Sequence, residues 1–191
     1  MNLPSQTFQF GWNIMVNVTE VKRKLCLIGD WGVGKTSLVR RFVHNTFDDR
    51  YFETIGTKVI KKRIKYEKEA GKVIDLNLLI WDIMGQKEFI RTQELAFHGT
   101  QGAIIVCDFT RKETLENICH WQQVLFEISN PIPIVILANK NDLTNDAKFC
   151  HEDFCEVCEK LKAPYFSTSA KTGANVEEAF RTIGSELIAK Y

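Results

Sequence analysis

The sequence predicts one α/β domain: a six-stranded, mostly parallel sheet with helices on both faces. Two observations carry this. From Val21 onward, short apolar runs of strand character alternate with amphipathic helical stretches, the pattern of a parallel sheet covered on both sides. The first apolar run also passes through a glycine-rich turn directly into a helical stretch, the start of a strand–loop–helix unit.

Each element follows in order. Leu25–Ile28 is the first apolar run and ends at Gly29, and Ser37–Val43 reads as a helix. Val59–Tyr66 and Val73–Trp81 are strands joined by the polar turn Glu67–Lys72. So short a connection makes them antiparallel, the one exception to the parallel order. Ala103–Phe109, Ile134–Ala138 and Tyr165–Ser167 complete the six strands, and Glu113–Ile128, Glu152–Leu161 and Val176–Ile188 are the remaining helices. Ligands of such folds bind at the carboxyl ends of the strands. No repeat, low-complexity stretch or internal linker interrupts residues 21–191, which read as one domain.

Residues 1–20 read as an N-terminal extension. Phe8, Phe10, Trp12, Ile14, Val16 and Val18 alternate with mostly polar residues, which is strand periodicity. An extra strand on the domain, a poorly ordered extension, and an arm that touches a partner or a membrane all fit, and Met15 is an alternative start.

Composition narrows the function classes. The chain has 191 residues, 45% hydrophobic and 26% charged, with a formal net charge of +1. That balance suits a folded globular protein and gives no global pull toward nucleic acid. The six cysteines, at positions 26, 107, 119, 150, 155 and 158, lie mostly in apolar runs and read as buried hydrophobes in a reducing compartment. No apolar run nears the roughly 18 residues of a spanning helix. The start is a poor signal peptide. A cytoplasmic, monomeric protein is expected, with any membrane recruitment peripheral.

Gly29-Asp30-Trp31-Gly32-Val33-Gly34-Lys35-Thr36 fits the phosphate-loop pattern G-x-x-x-x-G-K-[ST]. Its glycines let the backbone turn tightly and aim N–H groups at phosphate oxygens. The helix that begins at Thr36 and Ser37 adds the positive end of its dipole. Lys35 supplies a point charge for the terminal phosphates, and Thr36 offers Mg²⁺ a hydroxyl oxygen. The motif makes the domain a three-layer fold of the P-loop NTPase type.

Two further segments turn phosphate binding into a nucleotide site. In Trp81-Asp82-Ile83-Met84-Gly85-Gln86, Asp82 at the end of an apolar strand suits a water-mediated Mg²⁺ anchor. Gly85 brings a backbone N–H near a terminal phosphate, and the Gln86 amide orients an attacking water. In Asn139-Lys140-Asn141-Asp142, the Asp142 carboxylate matches the adjacent N1–H and 2-amino donors of guanine, a pair adenine lacks. Asn139 ties loops together, the Lys140 stem packs on the base, and Ser169-Ala170-Lys171 offers a backbone N–H to guanine O6.

With these motifs in this order, the chain resembles the Ras superfamily of small GTPases, closest to its Rab-like branch. Tyr51-Phe52-Glu53-Thr54-Ile55-Gly56 and Thr168-Ser169-Ala170-Lys171 also match, and the resemblance spans roughly residues 21–190. It implies that Phe47, seven residues before Thr54, stacks on the base and that Tyr51 lines the nucleotide. It implies that Thr54 ligands Mg²⁺ when the γ-phosphate is present, beside Thr36 and the water-bridged Asp82. Loss of the Thr54 and Gly85 contacts on hydrolysis would release both loops. Effectors would dock on segments 47–57 and 83–97, with an exchange factor and a GTPase-activating protein as regulators. Intrinsic turnover would be slow, with Gln86 and Lys35 as the catalytic pair; in such proteins an arginine from a partner accelerates hydrolysis by roughly 10³–10⁵.

Departures from the family pattern raise specific expectations. Trp31 stands where a small residue is usual; its ring either blocks a partner's arginine or folds outward over the nucleotide or onto a partner. Met84 and Ile83 replace Ala and Thr beside the Mg²⁺ site. Lys87 replaces a common Glu and would repel Lys35, so exchange would follow another route or be spontaneous. No cysteine follows Cys158, so no covalent lipid anchor is evident. Cys150, His151, Cys155 and Cys158 suggest zinc, but Phe154, Cys155, Cys158 and Leu161 fall on one apolar helical face, so core packing is expected. Lys58, Lys61, Lys62, Arg63, Lys65, Lys68 and Lys72 read as a protected strand edge or as a surface for acidic partners or lipid headgroups.

Overall fold

The structure is a computed structural model that describes residues 17–48, 50, 56–83 and 95–191. Six strands form one sheet: β1 (Asn17–Ile28), β2 (Thr57–Glu67), β3 (Lys72–Ile83), β4 (Gly102–Asp108), β5 (Ile134–Asn139) and β6 (Tyr165–Ser167). Their order is β2-β3-β1-β4-β5-β6. All neighbours are parallel except β2 and β3, which pair antiparallel from Thr57↔Ile83 to Glu67↔Val73. The helices are α1 (Lys35–His44), α2 (Lys112–Glu116), α3 (Ile118–Ser129), α4 (His151–Leu161) and α5 (Val176–Leu187).

The period of two in the strands divides the core. Leu25, Leu27, Leu76, Leu78, Ile104, Val106, Val135 and Leu137 face α1 and α5. Cys26, Ile28, Ala103, Ile105, Cys107, Ile136 and Ala138 face α2, α3 and α4. Helix α5 meets the sheet with Val176, Ala179, Phe180, Ile183 and Leu187, an apolar stripe of helical spacing. Phe180 stacks on Phe42 of α1 with ring centroids 4.1 Å apart, a contact worth about 0.5–1.5 kcal/mol beyond burial. On the other face Phe154 and Cys158 of α4 are buried, whereas Cys150 is exposed and caps α4 in a reciprocal pair with Asp153.

Three elements differ from their expected bounds for physical reasons. β1 starts at Asn17, inside the stretch expected as extension, because its leading residues pair with β3 from Asn17↔Lys72 onward. The single helix expected over Glu113–Ile128 is two, meeting at Asn117, whose side-chain amide is drawn to Asp30 (2.7 Å). α1 starts at Lys35, because Gly34 in the left-handed region (φ 98°) lets the phosphate loop turn straight into the helix. The basic cluster lies along β2 and its turn: Lys61, Arg63 and Lys65 are exposed on this edge strand, and Arg63 forks onto buried Asp75 of β3. No helix among the described residues is long and apolar enough to cross a membrane.

Candidate functional site

The carboxyl ends of β1, β3, β4, β5 and β6 deliver the predicted residues to one rim. The loop after β1 holds Asp30, Trp31, Gly32, Val33 and Gly34, and α1 opens with Lys35, Thr36 and Ser37. Gly29 (φ 135°) lies so close to the β4 backbone that a Cβ would strike Val106 O, and one on Gly34 would strike the Asn139 amide. The loop is therefore sealed against its neighbours, with no room for a side chain at either position.

Lys35 is buried. Its ammonium donates to Gly29 O (2.7 Å) and Asp30 O (2.8 Å), curling the loop around itself. Burial pushes its pKa down to about 8, against the pull of Asp82 and Asp30. A polyanion in the loop would push it back up. The neighbouring Thr36 hydroxyl donates to Asp82 Oδ2 (2.5 Å). Asp82 is fully buried, burial raises its pKa, and its Oδ1 has no hydrogen-bond partner among the described residues. A hydroxyl beside a carboxylate with a lone pair to give is a hard-oxygen donor set, and it fits Mg²⁺. A cavity of about 430 Å³ opens from Thr36 and Asp82 along α1 and β2 to Phe47, a volume in the range of small-molecule sites.

Asn139 bridges the two halves of the rim. Its Nδ2 donates to Val33 O (2.8 Å) in the phosphate loop, and its Oδ1 accepts from Ala170 N–H (3.1 Å) in the loop after β6. Asp142 accepts from the Ser169 hydroxyl (2.5 Å), which orients the carboxylate. Lys140 adopts φ 68°, a conformation rare outside glycine, and sends its ammonium to Asp108 at 2.6 Å. Its stem is thereby drawn back toward the end of β4. Lys171 is exposed at the tip of the last loop. Tyr51, Thr54, Met84, Gly85, Gln86 and Lys87 lie outside the described residues.

Trp121, Asn117, Arg111 and Asp108, which sequence reasoning did not single out, complete the rim. Asp30, expected only as part of the loop, points its carboxylate away from the phosphate side into α3. There it accepts from Trp121 Nε1 (2.9 Å) and Asn117 Nδ2 (2.7 Å). A tryptophan buried in an apolar helix must find a partner for its N–H, and that was the available signal. Arg111, after β4, donates to Trp31 O (2.6 Å) and lies with its guanidinium 4.9 Å from the centre of the Trp31 ring. It also sits 3.4 Å from Asp108, which thus carries two cations, Lys140 and Arg111. Trp31 keeps 59% of its surface exposed. The exposed ring has the Arg111 guanidinium as its partner.

The description of the Ras family matches residues 24–189 of the chain. The chain is similar to Ras-related protein Rab-22A of Mus musculus, at 36% identity over 165 residues, 86% of this chain and 82% of that one. It is also similar to Ras-related protein Rab-7b of Bos taurus, at 36% over 176 residues, 90% of this chain and 85% of that one. With Ras-related protein Rab-27B of Homo sapiens it shares 33% over 168 residues, 84% of this chain and 77% of that one.

Proposed function

The chain belongs to the Ras family of GTP-binding switch GTPases, and from that premise we propose that it cycles between GTP and GDP, hydrolyses GTP slowly and recruits effectors in its GTP state. The observation that carries this reading is the Asn139 bridge. One amide fastens the phosphate loop to the loop facing Asp142, so phosphate and base recognition form a single site.

The roles follow from the chemistry. Backbone N–H groups of residues 30–36 and the Lys35 ammonium hold the phosphates. Asp142, oriented by Ser169, accepts from the guanine N1–H and 2-amino groups, and adenine would leave that carboxylate without its donors. Lys140 and Phe47 flank the base. Thr36, Asp82 through water, and Thr54 in the GTP state would hold Mg²⁺. When bound, the ion neutralises charge on the phosphate oxygens. Gln86 aligns water for in-line attack on the γ-phosphorus; the bond to the β–γ bridging oxygen breaks, and GDP and phosphate result. Losing the γ-phosphate removes the contacts of Thr54 and Gly85, and the segments 47–57 and 83–97 lose their effector-binding form. With β1 beginning at Asn17, residues 17–191 form the switch domain, and the residues before them are its extension. The protein works as a cytoplasmic monomer, without nucleic acid, recruited to membranes only peripherally.

A second reading, a slow or inactive nucleotide-holding scaffold, is favoured by one observation: Trp31, where a small residue is usual, is held at the phosphate loop by Arg111, and its ring would stand in the way of a partner's arginine. Extraction of the co-purifying nucleotide, followed by a timed GTP turnover, separates the two. Bound GDP with slow turnover supports the switch, persistent GTP supports the scaffold, and adenine nucleotide overturns both.

A further inference from the structure

We propose that Arg41 is a positioning residue for guanine recognition, latching the guanine loop to the helix that leaves the phosphate loop and so setting how long the nucleotide stays bound. The proposal rests on the guanine-nucleotide reading above.

Arg41 lies on α1, about 9 Å along the helix axis from Lys35. Its guanidinium reaches across to the loop after β6. Nε donates to Ala170 O (2.8 Å) and Nη2 donates to Lys171 O. Nη1 turns back to the end of its own helix, to Asn45 O (3.3 Å) and Asn45 Oδ1 (3.2 Å). The stem packs under the turn that closes the guanine loop: Cδ would stand 3.6 Å from a Cβ on Gly173. Both backbone groups of Ala170 are thus engaged. Asn139 takes its N–H and Arg41 its carbonyl.

The fork geometry explains why the residue is an arginine. Two successive carbonyls need two donors at fixed spacing, and the guanidinium presents them in one plane, whereas an ammonium reaches one carbonyl as a point charge. The third nitrogen gives the latch its second end. Asn45 is the left-handed cap of α1 (φ 53°), and Phe47 follows two residues later. The start of segment 47–57 and the guanine loop are therefore tied to one side chain. A partner that displaces this segment pulls the same guanidinium, and the grip on the base loosens together with the grip on the phosphates.

The test is release of fluorescent GDP from the full chain with Mg²⁺, chased with excess GDP, for wild type, Arg41→Ala and Arg41→Lys. Arg41→Ala is expected to release about 10–100-fold faster, the loss of two charge-assisted bonds, and Arg41→Lys several-fold faster. Arg41→Lys keeps the packed stem, so it decides the matter if the alanine variant does not fold. A second ligand isolates positioning from general support: 2-aminopurine riboside diphosphate, which keeps the 2-amino group and lacks both O6 and the N1–H. Wild type should prefer GDP to it, and Arg41→Ala should lose about tenfold of that preference, because the loop's N–H groups no longer meet O6. Unchanged release in folded variants, or equal weakening of both ligands, overturns the proposal. A wild type that does not prefer GDP to ADP overturns the guanine reading itself, a separate result.

Discussion

Trp121→Phe removes one hydrogen bond from the far side of the phosphate loop and little else. The indole is 4% exposed and a phenyl ring keeps most of its apolar contact, while Asp30, 6% exposed, loses the donor at 2.9 Å on Oδ1 and keeps Asn117 on Oδ2. A hydrogen bond to a charged acceptor contributes about 1.5–3 kcal/mol, and the smaller ring adds a packing loss. A double-mutant cycle with Asp30→Ala separates the two, because the packing loss is common to both backgrounds. The expected coupling is about 2 kcal/mol, equal to about 4–8 °C in melting temperature for a domain of this size. The assay is thermal unfolding of the GDP–Mg²⁺ form at fixed nucleotide concentration, since bound ligand shifts the midpoint. Nucleotide affinity should move as well. With one of its two anchors gone, the carboxylate turns more readily toward the phosphate side, so Trp121→Phe should weaken GTP binding and Asp30→Ala should restore part of it. A coupling below about 0.5 kcal/mol would refute the clamp and leave Asp30 and Trp121 as mere neighbours.

Three other outcomes are expected. Asp142→Ala should reduce the preference for GDP over ADP by about a hundredfold or more in competition binding, because the partner of the two guanine donors is gone while Lys35 and the phosphate loop are untouched. Trp31→Gly should unroof the loop and raise activation by an arginine-supplying protein in single-turnover assays; the same fold-activation as wild type would show that the ring on Arg111 is no barrier. Arg63→Ala tests the sheet edge. Arg63 holds the Asp75 carboxyl below the usual carboxylate range through a two-pronged contact, so the pair stabilises the fold above the ordinary aspartate pKa and the benefit is lost as pH falls through the depressed one. The variant should melt below wild type at pH 7, with the gap closing below about pH 4.

What was legible in the sequence divides by the range of the interaction. The succession of strands and helices and the phosphate loop depend on neighbours in the chain: alternation every two residues, a short polar turn forcing β2 against β3, glycines where Gly29 and Gly34 abut other backbone or side-chain atoms. Val18 lies in a stretch that reads as a strand by its alternation, but that β1 runs from Asn17 along β3 is set by a partner far along the chain. The same holds at the site. Lys35, Thr36 and Asp142 sit in motifs whose spacing carries their chemistry, but Asp30, Arg111 and Arg41 get theirs from partners far along the chain, on α3, on Trp31 and on the guanine loop. No local signal separates Arg41 from a solvated helical arginine, and none in the motif points to Arg111 as the partner of Trp31. The division has a functional logic. Groups that touch the nucleotide must keep a fixed relation to their own backbone, so they occur as motifs. Groups that hold the loops to one another decide how easily the site opens, and they are long-range by necessity. Release rates are therefore tuned by residues such as Arg41 and Asp30, outside the reach of motif reading.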